Sequence, residues 1–379
     1  MRGDMSSVTP DVVIVGAGIV GAACAWECVQ RGLRVTILER EIIGGGATAA
    51  GMGHIVVMDD SQPQFALTRF SQELWQKLRP ELPADVEYEQ CGTIWVAADD
   101  EEMAEAQRKQ AFYSARGVPA EILDAHQLEN CEPHLRKGLA GGLLVPEDGV
   151  LYPPCAARFL IERAQAQGAK LLSARTVTAI GRGRVSTNRE QLSCGLVVNA
   201  AGAWAPELTP GLEIKKRKGH LLITDRYPGF VRHQLVELGY LKKAHSVSED
   251  SVAFNAQPRK TGQVLIGSSR QFGAERTQVD SRVLARMLQR AQEYMPQLAE
   301  MSSLRAWTGF RAATPDNLPL IGPWPADETV LLCTGHEGLG ITTSLASGRL
   351  IADQITGCPP PIAPAPYLPS RALMEHVHA

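Results

Sequence analysis

The sequence predicts a mixed α/β protein, α+β overall, in which a βαβ domain is interleaved with a second domain built on an antiparallel sheet. Three observations carry that expectation. The chain opens on two apolar runs, DVVIVG and VTILE, joined by a helical stretch with Gly16, Gly18 and Gly21 in GxGxxG register, the Rossmann-type pattern. Residues 214–269 instead carry strand-like runs such as LLITD and QVLIGSS, separated by turn signals that suit antiparallel pairing. Beyond Thr329 a buried-strand pattern, TVLLCTG, and a helix to about Ile355 return to the first type. The first domain is therefore expected from residues 1–60, 140–210 and 300–379, and the second from 61–139 and 211–299.

In the opening unit each glycine has a mechanical reason. Gly16 permits the tight turn, Gly18 lets backbone approach a pyrophosphate at a helix N-terminus, and Gly21 lets the helix pack on the strand. Glu39 lies eighteen residues beyond Gly21, at the end of the second strand. A carboxylate there accepts hydrogen bonds from both ribose hydroxyls of an adenosine and repels a 2′-phosphate. This context favours a non-phosphorylated dinucleotide over a glycine turn kept for packing alone, and leaves NAD and FAD undistinguished. The loop 44–53 follows, with five glycines in ten positions and the small Ala49 and Ala50. Glycine in ordered structure is entropically costly, so the loop is expected against a flat ring rather than free at the surface.

Further on, a helix is expected from about Pro63 to Leu78, short strands over 87–97, a charged helix over 99–116 and a helix over 155–167 leading to the strand LLSARTVTAI. The run GLVVNAAGAWAPEL, 195–208, reads as an apolar strand ending in small residues, where Ala200, Ala201 and Gly202 leave room for the dinucleotide. A helix near 281–295 closes the second region.

Composition excludes several classes. The 379 residues suit two domains, and a net charge of −3 gives no electrostatic footprint for nucleic acid. No run approaches the roughly 20 apolar residues of a membrane-spanning helix. The eight cysteines form neither a CxxC pair nor a cluster with histidine, so they read as reduced thiols and no metal is expected. A cytoplasmic location follows as the expectation, with or without peripheral association with the inner membrane.

The order of motifs resembles a known family. Gly16 to Gly21 with Glu39, the loop GATAAGMG, the strand ending VVNAAGAW, the segment WTGFRAATPDNLPLIGP and the closing GHEGLGITTS occur in this order in the glycine oxidase and D-amino-acid oxidase family of FAD enzymes. The resemblance spans essentially the whole chain and implies an FAD whose ring is covered by the antiparallel sheet. Carried over residue by residue, Gly16, Gly18 and Gly21 meet the pyrophosphate, and Glu39, with Arg40 beside it, the ribose end. Thr48, Ala49, Ala50, Gly51 and Met52 fall in the loop beside the flavin, Val177 where backbone groups meet adenine, and Ala201 and Gly202 along the dinucleotide. Gly338, Leu339, Gly340, Ile341 and Thr342 lie where amides and a helix N-terminus face the pyrimidine end of the ring, stabilising negative charge on it.

Arg311 occupies the family's position for the arginine that pairs with the substrate carboxylate, against the alternative of a structural salt bridge. Gly309 replaces the cysteine to which monomeric sarcosine oxidases attach their flavin, so FAD is expected non-covalent. Asn255 stands where glycine oxidases place a carboxylate-binding tyrosine, with Phe254 and Gln257 as neighbours able to take that role. His54, His220 and His336 are the candidates to titrate near the site, as positioning groups rather than proton acceptors.

The runs QVLIGSSRQFG, GHIVVMDD and GHEGLGITT look like the flavoprotein beta subunits of bacterial D-hydroxyproline dehydrogenases and of opine (octopine and nopaline) oxidases, and the flavin subunit of hydrogen cyanide synthase is similar. The resemblance implies a partner subunit binding a second flavin or nucleotide, and a small iron–sulfur subunit. Lys215, Lys216, Arg217 and Lys218 then read either as a solvated strand edge or as part of an interfacial FMN site. The expected reaction moves the α-hydrogen of a D-amino acid or secondary amine, cis-4-hydroxy-D-proline first among them, to the flavin as hydride and leaves an imine. A self-sufficient glycine or sarcosine oxidase making hydrogen peroxide and a flavin-binding assembly subunit without turnover are the alternatives.

Overall fold

Parallel pairing around the glycine turn builds the first of two units. In the computed structural model, which describes residues 9–239 and 250–371, this unit runs to Thr48, resumes over Pro154–Lys215 and returns from Ala312. Its six-stranded sheet has the order Leu320–Trp324, Asp327–Thr334, Leu196–Asn199, Val12–Val15, Val35–Glu39 and Lys170–Ser173, and only the first pair is antiparallel. Val12–Val15 is the central apolar strand, buried on both faces as a strand covered by helices must be. Register pairs Val15 with Leu38 and with Asn199, so the carboxyl ends of three strands finish side by side at Gly16, Glu39 and Ala200. In an open α/β sheet that edge is where ligands bind.

Helix Ile19–Gln30 follows the turn and is buried from Ile19 to Val29 except at Val20. Its all-round apolar character has a cause: it packs on the strands and also against helix Ser344–Thr356, where Gly348 admits the closest approach. A Cβ at Gly348 would lie 2.7 Å from the Ala23 carbonyl group. Around that crossing Glu27 accepts from Arg349 Nε at 2.6 Å and from Arg31 Nη1 at 2.9 Å, and Arg31 also pairs with Asp353. Two acids and two guanidiniums balance. Glu27→Ala is expected to cost about 3 kcal/mol, the lower end for breaking a buried pair because both arginines reach solvent; a denaturant midpoint unchanged from the parent would contradict this.

One local expectation fails here. LLSARTVTAI is two strands: Lys170–Ser173 joins the six-stranded sheet, and Val177–Gly181 starts a separate meander with Arg184–Thr187 and Gln191–Ser193. The break is at Ala174, whose φ of 54° no strand accommodates.

The second unit comprises Ala49–Pro153 and Lys216–Arg311. Its eight-stranded sheet has the order Ser303–Ala313, Lys215–Arg226, Gln263–Arg270, Ser251–Pro258, Gln234–Glu237, Thr93–Ala97, Gly141–Val145 and Glu121–Asp124. The sheet is larger than the sequence suggests and mixed, because Gln234–Glu237 runs parallel to Thr93–Ala97. Strand alternation gives it two working faces. Leu222, Phe254, Ala256, Val264 and Ile266 pack on helix Ser281–Tyr294 through Met287, Ala291 and Tyr294, with the Phe254 and Tyr294 rings stacked at 4.6 Å. Leu221, Ile223, Leu265 and Trp307 turn the other way and pack with Met52.

Helix Gln62–Leu78 starts where Ser61 caps Gln64 N, and helix Asp100–Ser114 where Asp99 caps Glu102 N, with three acids in the first turn facing the helix dipole. Among the described residues no helix is long and apolar enough to cross a membrane.

Candidate active site

The glycine turn of the first unit forms a cradle in which added side chains find no space. Gly16 has φ +101°, and a Cβ there would lie 2.8 Å from the Ala200 carbonyl oxygen; one at Gly21 would lie 2.0 Å from the Gly16 carbonyl oxygen. Helix, turn and the small Ala200 are thus in backbone contact. The first-turn amides of a helix have no intrahelical acceptor, and Ile19 N–H donates to Thr48 Oγ1 at 3.0 Å. Thr48 is therefore held as a helix cap, buried beneath the loop of which it is part. Glu39 closes the other side, Oε2 accepting from Ala17 N and Oε1 from Glu41 N, both at 2.8 Å. Each carboxylate oxygen keeps a second lone pair for a ribose hydroxyl. Bare backbone at Gly16, Gly18 and Gly21 next to an oriented carboxylate suits a dinucleotide such as FAD.

Other expected residues of this unit border the same edge. Arg175 N donates to Glu39 O at 2.9 Å, which brings the segment leading to Val177 beside Glu39. The Arg40 guanidinium stacks on the Trp204 ring at 4.4 Å, while Ala201 N–H is held by Asn199 Oδ1 and Gly202 O by Thr334 Oγ1. Gly338 to Thr342 form turns ahead of helix Ser344–Thr356, entered through Glu337 at φ 48°. His336 stands at their start, and its role is structural: Ser347 Oγ donates to Thr343 O, so it accepts Nε2–H of His336 at 2.9 Å. Burial alone pushes His336 down to about 3.

In the second unit the expected substrate-side residues gather on one face of the eight-stranded sheet. Asn255 pairs with Gly267 and Gln257 with Leu265, opposite the face that carries Phe254. Phe254 is consequently no substitute for a substrate-binding tyrosine, since it is spent against Tyr294. Gln257 Nε2 donates to the Met52 carbonyl at 2.7 Å, fixing Met52 on this face. Asn255 Oδ1 is buried without a hydrogen-bond partner among the described residues. Gly309 faces Ala50, and a Cβ at 309 would come within 2.3 Å of the Ala50 Cβ, so not even a cysteine stem fits.

Arg311 completes that face. Its guanidinium lies flat against Gly219, where a Cβ would meet Nη1 at 2.6 Å and Cζ at 2.9 Å, and Nη1 donates to Ser269 O at 2.8 Å. One N–H of the fork is used and the rest match a carboxylate. His54 lies within electrostatic reach: burial pushes it to about 4, the Gln257 amide opposing and the Arg311 charge adding to the effect.

The neutral buried histidines fix a pH dependence. An unfolded histidine titrates near 6.5, so between that value and about 4 the unfolded chain binds protons that folded His54 and His336 do not. Their contribution to stability is complete above pH 6.5 and is lost as pH falls. Buried Asp148, pushed up to about 7, acts in the opposite sense and cancels one of the two. Stability near pH 5 should fall by about 1.4 kcal/mol per pH unit from these three groups. Denaturant titrations at pH 5 and 7.5 measure it, and a His336→Asn variant should flatten the slope.

Gly219, Gly267 and Ser269 were not expected at the site. A Cβ at Gly267 would lie 2.8 Å from Leu221 Cδ2 and 3.1 Å from Met52 Sδ. The available signal was a glycine inside each strand-like run, KKRKGHLLITD and QVLIGSS, since strand glycines mark close approach. The basic run divides: Lys218 Nζ bonds Gln278 O and Arg217 stacks on Phe272 at 4.9 Å, leaving Lys215 exposed. Among the described residues no group of histidine, cysteine and carboxylate side chains could hold a metal, and all eight cysteines are free.

The chain is similar to known proteins along most of its length. The family model described as FAD dependent oxidoreductase covers residues 11–354. A glycine oxidase from Pseudomonas aeruginosa is 31% identical over 96% of this chain and 99% of its own. The hydrogen cyanide synthase subunit HcnC of the same organism is 28% identical over 96% of each chain. The crystal structure of L-proline dehydrogenase from P. horikoshii superposes with a TM-score of 0.86 at 25% identity, covering 97% of this chain and 98% of that one.

Proposed function

This chain belongs to the FAD dependent oxidoreductase family and is an FAD-dependent oxidoreductase of amino acids or amines, and we propose that it oxidises a D-amino acid or cyclic secondary amine, cis-4-hydroxy-D-proline above others, to the imine. In this reading the first unit carries FAD and the second the substrate determinants. The observation that carries it is Arg311, flattened on Gly219 and anchored by Ser269 O on the sheet face that carries Met52, Leu221, Leu265 and Trp307 together with Asn255 and Gln257. A carboxylate-bearing substrate is what a half-used guanidinium there would bind. Asn255 Oδ1 supports a substrate with a further donor, such as a ring hydroxyl, because a buried acceptor left unpaired costs about 1–3 kcal/mol.

FAD, when bound through the glycine cradle, supplies the acceptor for the α-hydrogen as hydride. Arg311 would hold the substrate carboxylate and so orient the α-carbon, with Asn255 on the same sheet face. No side-chain base is assigned. His54, neutral down to about pH 4, is too weak to take a proton from an ammonium, so the amine enters neutral.

We further propose that the chain works as the catalytic subunit of a heteromeric dehydrogenase with a second flavin- or nucleotide-binding subunit and a small iron–sulfur subunit. Support comes from a relative that is by name a subunit, hydrogen cyanide synthase subunit HcnC. An FMN held partly by Lys215 and Lys216 belongs to this proposal, and unchanged FMN content in a Lys215→Ala/Lys216→Ala variant of the assembled enzyme would dismiss it. Opine oxidation is the nearest competitor. The 31% identity to a glycine oxidase favours a second reading, a free-standing oxidase making hydrogen peroxide.

The deciding experiment compares the chain purified alone and with co-expressed neighbouring gene products. Flavin bleaching by cis-4-hydroxy-D-proline, octopine and glycine is followed without oxygen, then oxygen uptake and dye reduction. Fast bleaching by the hydroxyproline with dye rather than oxygen as acceptor is the expected result. Rapid peroxide production from glycine by the chain alone would establish the second reading instead.

A further inference from the structure

Behind the Arg311 anchor lies a chain of contacts that the proposed reaction does not itself use. Arg311 Nη1 donates to the Ser269 carbonyl at 2.8 Å. The hydroxyl of the same Ser269 receives His220 N–H and stands 2.9 Å from His220 Nδ1. His220 Nε2 accepts the Asp280 N–H at 3.0 Å, which fixes the neutral tautomer with its proton on Nδ1. Asp280 in turn caps helix Ser281–Tyr294, Oδ1 accepting from Arg282 N and Val283 N, and its Oδ2 holds Gln271 Nε2. Gln271 exchanges two backbone hydrogen bonds with Lys218, on the residue next to Gly219. The imidazole therefore clamps the two strands between which the guanidinium sits, Lys215–Arg226 and Gln263–Arg270, to the start of one helix.

We propose that His220 is a positioning residue for the substrate carboxylate: through Ser269 it sets the plane and height of the Arg311 guanidinium over Gly219, and only its neutral form does so. The proposal rests on the reading of Arg311 as the carboxylate anchor. Protonating His220 would place Nε2–H against the Asp280 N–H, two donors facing each other, and the clamp would open. The charged groups facing the imidazole are Lys218 on its own strand, Arg311, Asp250 and Asp280. Burial leads in keeping the ring neutral, with Lys218 and Arg311 adding and the two aspartates opposing. Substrate affinity is thus expected to fall on the acid side of neutrality while hydride transfer in the bound complex is unaffected.

The test uses FAD-loaded enzyme and its variants His220→Leu, His220→Asn, Ser269→Ala and Arg311→Met. KM and kcat are measured from pH 5.5 to 8.5 with the best of cis-4-hydroxy-D-proline, octopine and glycine. Binding of pyrrole-2-carboxylate, which has no amine to titrate, is followed by the flavin spectrum over the same pH range, because KM also rises toward acid as the substrate amine is protonated. The expected result is a KM raised about tenfold or more in His220→Leu and Ser269→Ala, with kcat within about threefold of the parent. His220→Asn, whose carboxamide keeps a donor where Nδ1 stands, should restore KM and remove the acid-side loss of pyrrole-2-carboxylate affinity. If His220→Leu does not fold, Ser269→Ala and the pH profile of His220→Asn decide alone. A parent-like KM in Ser269→Ala, or an acid-side loss of pyrrole-2-carboxylate affinity that persists in His220→Asn, overturns the positioning role. If Arg311→Met also keeps the parent KM and the same pyrrole-2-carboxylate affinity, the anchor reading has failed as well.

Discussion

Arg311→Met is expected to lower kcat/KM by about 10^2- to 10^3-fold, the consequence of removing one partner from a desolvated charge pair worth roughly 3–4 kcal/mol. Most of the loss should appear in KM if the guanidinium binds substrate and transition state alike. FAD content and thermal midpoint should stay near the parent's, because among the described residues its guanidinium bonds the Ser269 carbonyl and lies on Gly219. Arg311→Lys should recover little, since an ammonium cannot lie flat on Gly219 and offer a planar fork. Parent-like KM in Arg311→Met would show that the arginine serves structure and that the carboxylate is met elsewhere.

Gly21→Ala is expected to yield protein with about a tenth or less of the parent's flavin, read from the visible-to-ultraviolet absorbance ratio. The added Cβ would lie 2.0 Å from the Gly16 carbonyl oxygen and 3.5 Å from Ala200 Cβ. Helix Ile19–Gln30 cannot simply withdraw, because Gly348 of the neighbouring helix backs it so closely that a Cβ at 348 would lie 2.7 Å from the Ala23 carbonyl group. The strain goes into the turn at Gly16, where backbone must approach a pyrophosphate. Val20→Ala, on the same helix and without such a contact, is the control that should load FAD normally. Full flavin content in Gly21→Ala would mean that the cradle tolerates a separation the close packing argues against.

The first unit was legible because its signals are local. Glycine spacing, an acid at the end of the next strand and an apolar helix lie within thirty residues, and backbone sterics convert each into one geometry. The second unit was less so. That strands occupy 214–269 could be read from alternation, but which neighbour each one pairs with could not, and the parallel pairing of Gln234–Glu237 with Thr93–Ala97 joins segments about 140 residues apart. The role of the Phe254, Asn255 and Gln257 stretch was undecidable for the same reason. A one-residue slip in a strand exchanges its faces, and only the observed register puts Asn255 and Gln257 on the side of Met52 and leaves Phe254 with the helix.

The histidines show the same division. Residue type marked His54, His220 and His336 as candidates to titrate, and the fold gives each a different task. His336 tethers a turn to Ser347, the half-buried His54 is held neutral beside Gln257, and His220 is locked between Ser269 and Asp280. A histidine's tautomer and proton affinity depend on the partners folding brings within 3 Å, which sequence neighbours do not reveal.

Beyond the arginine that the family resemblance implies, the amino-acid sequence by itself determined a βαβ dinucleotide turn and a carboxylate at the end of its second strand. Those follow from residue identity at short range. Tertiary structure alone decided how the arginine is presented, on a glycine in one strand, under a carbonyl from another and braced by a histidine against a helix cap. That arrangement joins residues 219, 269, 280 and 311, and long-range strand register, set by burying one sheet face against helix Ser281–Tyr294, is the physical quantity that brings them together.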